Sequence, residues 1–396
     1  PTLDTQSLMA NRTWPLPCCP SRMNPPSANW QRDLEPVLLT SMTEQTLSDT
    51  HDRLRTQLLP RPGATLVIVF SQVRVPAGKF GLSRLFERTR HACLFLNDPG
   101  NGWYLGLDDR IDAAVTSAIA RTNPERIIYY GSSMGGYGAL ATGLRRRDGT
   151  IYAFGPELDL GRPGSQSAAS GIPEAALSIQ VLSGPHPYPV HCFFGICDPV
   201  DAQNAVLAQE RLTGACMHTL WSSHASHDHL YSLNIIRRLT RTFDRDPAAE
   251  LGSKQLIAAL DPAPLAQFGL LGERLAAGHR IAPDDLQHLP GYPENPGMMM
   301  LAARAAGRNG DLQGALSIAE QAERLIADTP VLHTLPKRWR KQLPLFRIEN
   351  LIALNRLNDA RTLLLETVRR FPEDAKMRDL AATLRLELAP EINPAG

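Results

Sequence analysis

Between residues 65 and 243, short apolar runs alternate with longer amphipathic stretches, and this alternation limits the possible folds more than any other feature of the chain. The runs TLVIVF (65–70), HACLFL (91–96), RIIYY (126–130), IYAF (151–154), VHCFF (190–194) and ACMHTL (215–220) are four to six residues long and almost wholly apolar. A strand with one wet face would alternate apolar and polar side chains. Continuous runs therefore predict strands buried on both faces. Helical patterns fall between most of them, at 82–90, 110–121, 136–147, 200–213 and 229–243. Strands alternating with helices of this length predict an α/β fold: a mainly parallel sheet flanked by helices, with right-handed crossovers.

The third run leads directly into GSSMGG, residues 131–136. Gly131, Ser133 and Gly135 have the G-x-S-x-G spacing of a nucleophile elbow, in which the serine sits at the tip of a sharp strand-to-helix turn. Such a turn strains the backbone and leaves room for small neighbours only. Gly136 and Gly138 extend the permissive run, so the following helix can approach the sheet closely. A five-residue pattern is also compatible with a helix-capping serine, and the decision rests on what else the chain supplies.

An activated serine needs a base to take its proton, and the base needs an acid to orient it. Both stand in the required order after strand ends. Asp198 follows VHCFFG in the turn-forming CDP, with Asp201 three residues later as its rival; Asp201 opens a helix, where an acid commonly serves the helix dipole. HASHDH (224–229) follows the last strand. His227 is chosen as the base because it directly precedes the expected helix, ahead of His224 and then His229. Three clustered imidazoles also raise a zinc site. Their i, i+3, i+5 spacing and the lack of a second ligand cluster argue against one, so neither metal nor cofactor is expected. NDPGNGWYLG lies past the end of the second run, on the face where α/β sheets bind ligands; Asp98, Asn101, Trp103 and Tyr104 are candidate pocket residues, the alternative being a turn packed by its own aromatics. Tyr137 reads as helix packing.

With Ser133, an acid and a histidine in this order, residues 65–243 resemble the α/β-hydrolase superfamily, whose elbow often takes the form G-x-S-M-G-G. The resemblance covers a little under half of the chain. It implies an acid two strands after the elbow, here Asp198, and an oxyanion hole formed by the backbone N–H of Met134 and a second N–H after TLVIVF, from Ser71 or Gln72. The His-Gly-Gly-Gly loop of lipases is absent. The implied activity is that of a serine hydrolase on an ester or thioester. The alternatives are acyl transfer to an acceptor hydroxyl through the same residues, a non-catalytic interaction protein on a hydrolase scaffold, and a metallohydrolase.

At 396 residues the chain is long enough for more than one domain. The expected division is a partly ordered leader (1–60, with one or two helices from residue 34), a catalytic domain (61–245) and a helical-hairpin domain (246–396). In the last, two segments around 296–326 and 344–372 resemble degenerate tetratricopeptide hairpins. Forty-one basic and forty acidic residues leave a net charge of +1, which gives no field to gather nucleic acid or an anionic membrane. No apolar run approaches the roughly 18 residues of a membrane helix. The N-terminal residues lack a basic stretch followed by an apolar one. The six cysteines contain no C-x-x-C pair, and Cys93, Cys192 and Cys216 fall in strand-like runs, so buried thiols and a cytoplasmic setting are expected. The expected partners are a small or carrier-linked acyl substrate and a protein bound through the helical region.

Overall fold

The structure is a computed structural model that describes residues 53–175, 178–181 and 184–387. Most of the expected leader, with Cys18 and Cys19, lies outside the described residues. Its last part departs from the helical expectation, because Arg55–Leu59 forms strand β1.

Six further strands follow: β2 (Thr65–Phe70), β3 (Ala92–Asn97), β4 (Arg126–Ser132), β5 (Thr150–Phe154), β6 (Val190–Gly195) and β7 (Cys216–Leu220). They form one sheet in the order β1-β3-β2-β4-β5-β6-β7, with only the β1–β3 pair antiparallel. Every residue of β2, β3 and β6 is buried, as continuous apolar runs require. Helices α1 (Asp108–Thr122), α2 (Met134–Arg146) and α3 (Pro199–Arg211) connect the parallel strands. The long helix expected after β7 is broken into α4 (Ser226–Ser232) and α5 (Ile235–Leu239) by Asn234 at φ 64°. The architecture is α/β, a mainly parallel sheet flanked by helices, with a helical C-terminal region.

That region contains α6 (Pro262–Ala276), the hairpins α7 (Pro296–Arg308) with α8 (Leu312–Asp328) and α9 (Gln342–Ala353) with α10 (Leu357–Arg370), and α11 (Ala375–Thr383). No described helix is long and apolar enough to cross a membrane. Residues 256–258 run along the open edge of β7, where Ala258 N–H donates to Thr219 O and Trp221 N–H to Leu256 O. This covers part of an edge that would otherwise be left unpaired.

The sheet and the helices share a core. Ile196, Cys197 and Ala202, just past β6, pack in one cluster with Phe268 and Leu271 of α6 and Met298 of α7. Gly297 allows the closest approach, since a Cβ there would lie 2.1 Å from the Cys197 carbonyl oxygen. Asn295 fastens the same place. Fully buried, it caps α7 by accepting from Gly297 N–H (2.9 Å) and donates to the Ile196 carbonyl (2.9 Å). Asn295→Ala removes a cap and orphans a buried carbonyl, for an expected loss of about 2–4 kcal/mol. Asn295→Asp, which keeps the cap and lacks the donor, should recover only part. Urea denaturation checks this; a loss below about 0.5 kcal/mol for the alanine variant would mean that the contact does not hold the helices to the sheet.

Candidate active site

Ser133 stands between β4 and α2 with φ 55° and ψ −122°, a conformation that costs an L-residue energy and needs the surrounding structure to enforce it. Enforcement comes from backbone packed against backbone. A Cβ at Gly131 would fall 2.0 Å from the Gly135 carbonyl oxygen, and one at Gly135 would fall 2.3 Å from that of Phe70. The Ser133 N–H is tied to the Phe154 carbonyl at 2.8 Å.

The imidazole facing Ser133 is that of His224, with Nε2 3.0 Å from the serine Oγ, and Nδ1 lies 2.7 Å from Asp201 Oδ1. A carboxylate can only accept, so in the neutral ring Nδ1 carries the proton and the Nε2 lone pair is left for the serine hydroxyl. The other oxygen of Asp201 accepts from Gly195 N–H at 2.9 Å, which anchors the acid to the end of β6. Gly155, at φ 54°, borders this relay: a Cβ there would sit 3.2 Å from the His224 ring and 3.4 Å from Asp201 Oδ2.

Two assignments made from the sequence are thereby corrected. Asp198 is not the acid that meets the histidine. In extended backbone at the N-cap of α3, its Oδ1 accepts from Val200 N–H (2.9 Å) and Asp201 N–H (3.3 Å). The first-turn position that suggested a dipole role for Asp201 is what aims its side chain back at β6 and His224. His227 does not face Ser133 either. Helix α4 begins at Ser226, which draws His227 into the helical turn and under the sheet, where it is 3% exposed and its Nε2 lies 2.8 Å from the Tyr130 hydroxyl. His224 stays on the loop and remains free to face the serine. His229 goes elsewhere again. The Thr334 hydroxyl donates to Val331 O, so His229 Nε2–H donates to Thr334 Oγ1 (2.9 Å) and Nδ1 accepts from Ser222 (2.9 Å). Burial, then Arg340, lowers His229 to about 4. The three imidazoles thus serve three separate neighbourhoods, and among the described residues no group of three or more His, Cys, Asp or Glu is placed to hold a metal.

Of the expected oxyanion donors, the Ser71 amide is already committed to Leu96 O at 2.9 Å. The N–H groups of Gln72 and Met134 have no acceptor among the described residues, so of the expected donors these two are uncommitted. Asp98, Trp103 and Tyr104 are closed to solvent and do not line a pocket. Asp98 Oδ2 accepts from Tyr104 N–H at 3.2 Å, and the Tyr104 hydroxyl donates to Ser71 O at 2.9 Å. Trp103 packs edge-on against Tyr137, and Asn101 accepts from Arg74 N–H at 2.7 Å. Tyr104 thus braces Ser71 from behind, held in turn by Asp98, as a turn packed by its own aromatics does.

The sequence reading also missed Glu157, 1% exposed on the loop after β5 and bonded to the amides of Gln166 (2.8 Å) and Ser167 (3.3 Å). Burial raises its pKa, with the Ser167 hydroxyl and His224 pulling the other way. Nothing in the local sequence of Glu157 marks it out. Asp159, on the same loop, makes a bidentate pair with Arg211 of α3 at 2.6 and 2.8 Å, which holds the loop to the helix that carries Asp201. Desolvation opposes a protonated His224, yet the charge and hydrogen bond of Asp201, followed by the charges of Asp198 and Glu157, outweigh it and raise the imidazole to about 9. Folding therefore favours the protonated ring. The stabilisation is fully present below the unfolded value near 6.5 and fades as pH rises through about 9.

No family model and no curated protein matches the sequence. Among solved structures, the chain is similar to a capsule O-acetyltransferase of Neisseria meningitidis serogroup A at 17% identity and TM-score 0.35, over 47% of this chain and 92% of that one. It is also similar to a Glycosylation Associate Protein complex from Streptococcus agalactiae (20% identity, TM-score 0.35, 49% and 45% coverage). A marine microorganism esterase matches at 11% identity and TM-score 0.33, with 48% and 99% coverage. At these values the likenesses carry no information about what this chain acts on.

With p-nitrophenyl acetate as a probe ester, Asp201→Asn is expected to lower turnover on the order of 10⁴-fold, because the imidazole loses its orienting partner. Asp198→Asn keeps a good N-cap and should stay within about tenfold of the native rate. Only neutral His224 can take a proton, so kcat/KM should rise with pH along a limb centred well above 6.5, and Asp201→Asn should move that limb down. A native limb at or below 6.5 would contradict the ion-pair account.

Proposed function

We propose that the chain is a serine-dependent enzyme of acyl transfer or hydrolysis, with Ser133 as nucleophile, His224 as general base and Asp201 as the orienting acid. One observation carries this reading: a serine at a strained strand–helix turn faces an imidazole whose other nitrogen faces a buried carboxylate. A helix-capping serine needs none of this. No side-chain capping bond from Ser133 accompanies α2.

In the first half-reaction, Ser133 Oγ attacks an ester or thioester carbonyl while His224 Nε2 takes its proton, and Asp201 stabilises the imidazolium that forms. The amides of Gln72 and Met134, free of other acceptors, are the donors for the developing oxyanion. The imidazolium then protonates the leaving oxygen or sulfur, and an ester to Ser133 remains. Water or an acceptor hydroxyl, deprotonated by the same nitrogen, resolves that ester and returns the proton to Ser133. A pure scaffold role gives no reason to hold Ser133 in strained backbone.

A fluorophosphonate tests the assignment without a known substrate. Intact and peptide mass spectrometry should find one adduct on Ser133, and Ser133→Ala should abolish it without changing the thermal midpoint. Labelling at Ser132, or no labelling of folded protein, would overturn the reading.

A further inference from the structure

His224 stands on the connection between β7 and α4, residues 221–225, and among the described residues its ring bonds to Asp201 and Ser133 alone. The place of the ring therefore depends on what holds that connection. Two backbone contacts seat it on the end of β6. Cys197 N–H donates to the Ser222 carbonyl at 2.9 Å. The next carbonyl packs on Gly195, where an added Cβ would fall 2.0 Å from Ser223 O. Gly195 is also the residue whose N–H holds Asp201 Oδ2 at 2.9 Å. One strand end thus seats both the carboxylate and the backbone just ahead of the imidazole, so a shift of Ser222 or Ser223 would alter how His224 meets Asp201.

A side-chain bond completes this seat. Ser222 Oγ lies 2.9 Å from His229 Nδ1. Ser222 is fully buried and His229 is 1% exposed. The direction of the bond is set from the other side of the ring. The Thr334 hydroxyl is spent on Val331 O, so His229 Nε2–H donates to Thr334, and the bare Nδ1 accepts from Ser222. Thr334 belongs to the connection between α8 and α9. Its neighbours Leu332 and Leu335 are buried in the same cluster as Ile196 and Cys197. His229 therefore ties the backbone that bears His224 to the helical region. Burial keeps its ring neutral above about 4, which preserves this bonding pattern through neutral and alkaline pH.

We propose that His229 is a positioning residue for His224: its bond to Ser222 fixes the backbone that carries that imidazole and so keeps the ring against Asp201 and Ser133. The bearing on catalysis rests on the proposed function; the bracing itself does not. Replacing His229 by a neutral residue removes no charge near neutral pH. The charges that raise His224, those of Asp201, Asp198 and Glu157, are all retained. A change in the titration of His224 in such a variant would therefore report a change in its position.

The test follows the His224 ring by NMR in full-chain protein carrying isotope-labelled histidine, with its signals identified by their loss in His224→Gln. The second-order rate of fluorophosphonate modification is measured alongside. Native His224 should titrate near 9. His229→Phe keeps a ring and lacks both nitrogens; in it the midpoint should fall toward 6.5 and Ser133 should react about tenfold more slowly or worse. His229→Asn, whose amide oxygen can accept from Ser222, should recover most of both. Ser222→Ala should reproduce the loss, and it stands in should His229→Phe fail to fold. A native titration and a native rate in the folded variants would overturn the inference. So would a loss that asparagine does not relieve, since packing alone would then explain it. Titration that responds to these substitutions, with native Ser133 never labelled, would sink the catalytic reading and leave the brace. Labelling of Ser133 with a titration indifferent to them would do the reverse.

Discussion

The site depends on how closely α2 can approach β2 and β4. With side chains at Gly131 and Gly135 the helix would have to start further from the sheet, because their Cβ atoms would overlap the backbone oxygens of Gly135 and Phe70. At that greater distance the turn at Ser133 could relax into an ordinary cap and the hydroxyl would no longer stand at the tip. The strain at φ 55° is held by the buried sheet on both sides of β4. The same close approach brings Met134 to the head of α2, where its amide has no helical partner.

The strands and the sharp turn at Ser133 were legible because each leaves a local mark. A strand buried on both faces must be apolar along its length, and a sharp turn must be small around its tip. The aspartate and histidine that meet beside Ser133 leave no comparable mark. Asp198 and Asp201 both follow β6, and which one meets the histidine depends on backbone angles at the helix start: Asp198 in extended conformation folds its carboxylate over the amides, and Asp201, one helical step on, points back to the strand. His224 and His227 differ in the same way, by whether the helix has already begun. A start at Ser226 takes His227 into the core and leaves His224 on the loop. Asp98, Trp103 and Tyr104 had the right location in the chain for a pocket wall, yet their positive-φ turn at Trp103 and Tyr104 folds them inward against the Ser71 loop. Sequence position located the loop and said nothing of which way it would fold.

The helical region belongs to the same physical argument. The acid loop is packed between β6 on one side and α6 and α7 on the other, through Ile196, Cys197, Asn295 and Gly297. The helices therefore also support the segment that leads into Asp201.

The central claim is that His224, and not His227, serves Ser133. The second-order rate of fluorophosphonate modification in His224→Gln and His227→Gln proteins, each with folding verified by its thermal transition, addresses it most directly. The account predicts that His224→Gln reacts at least about a thousandfold more slowly than native protein, since the serine has lost its base, while folded His227→Gln reacts at close to the native rate. Loss of reactivity in His227→Gln with His224→Gln still reactive would contradict it.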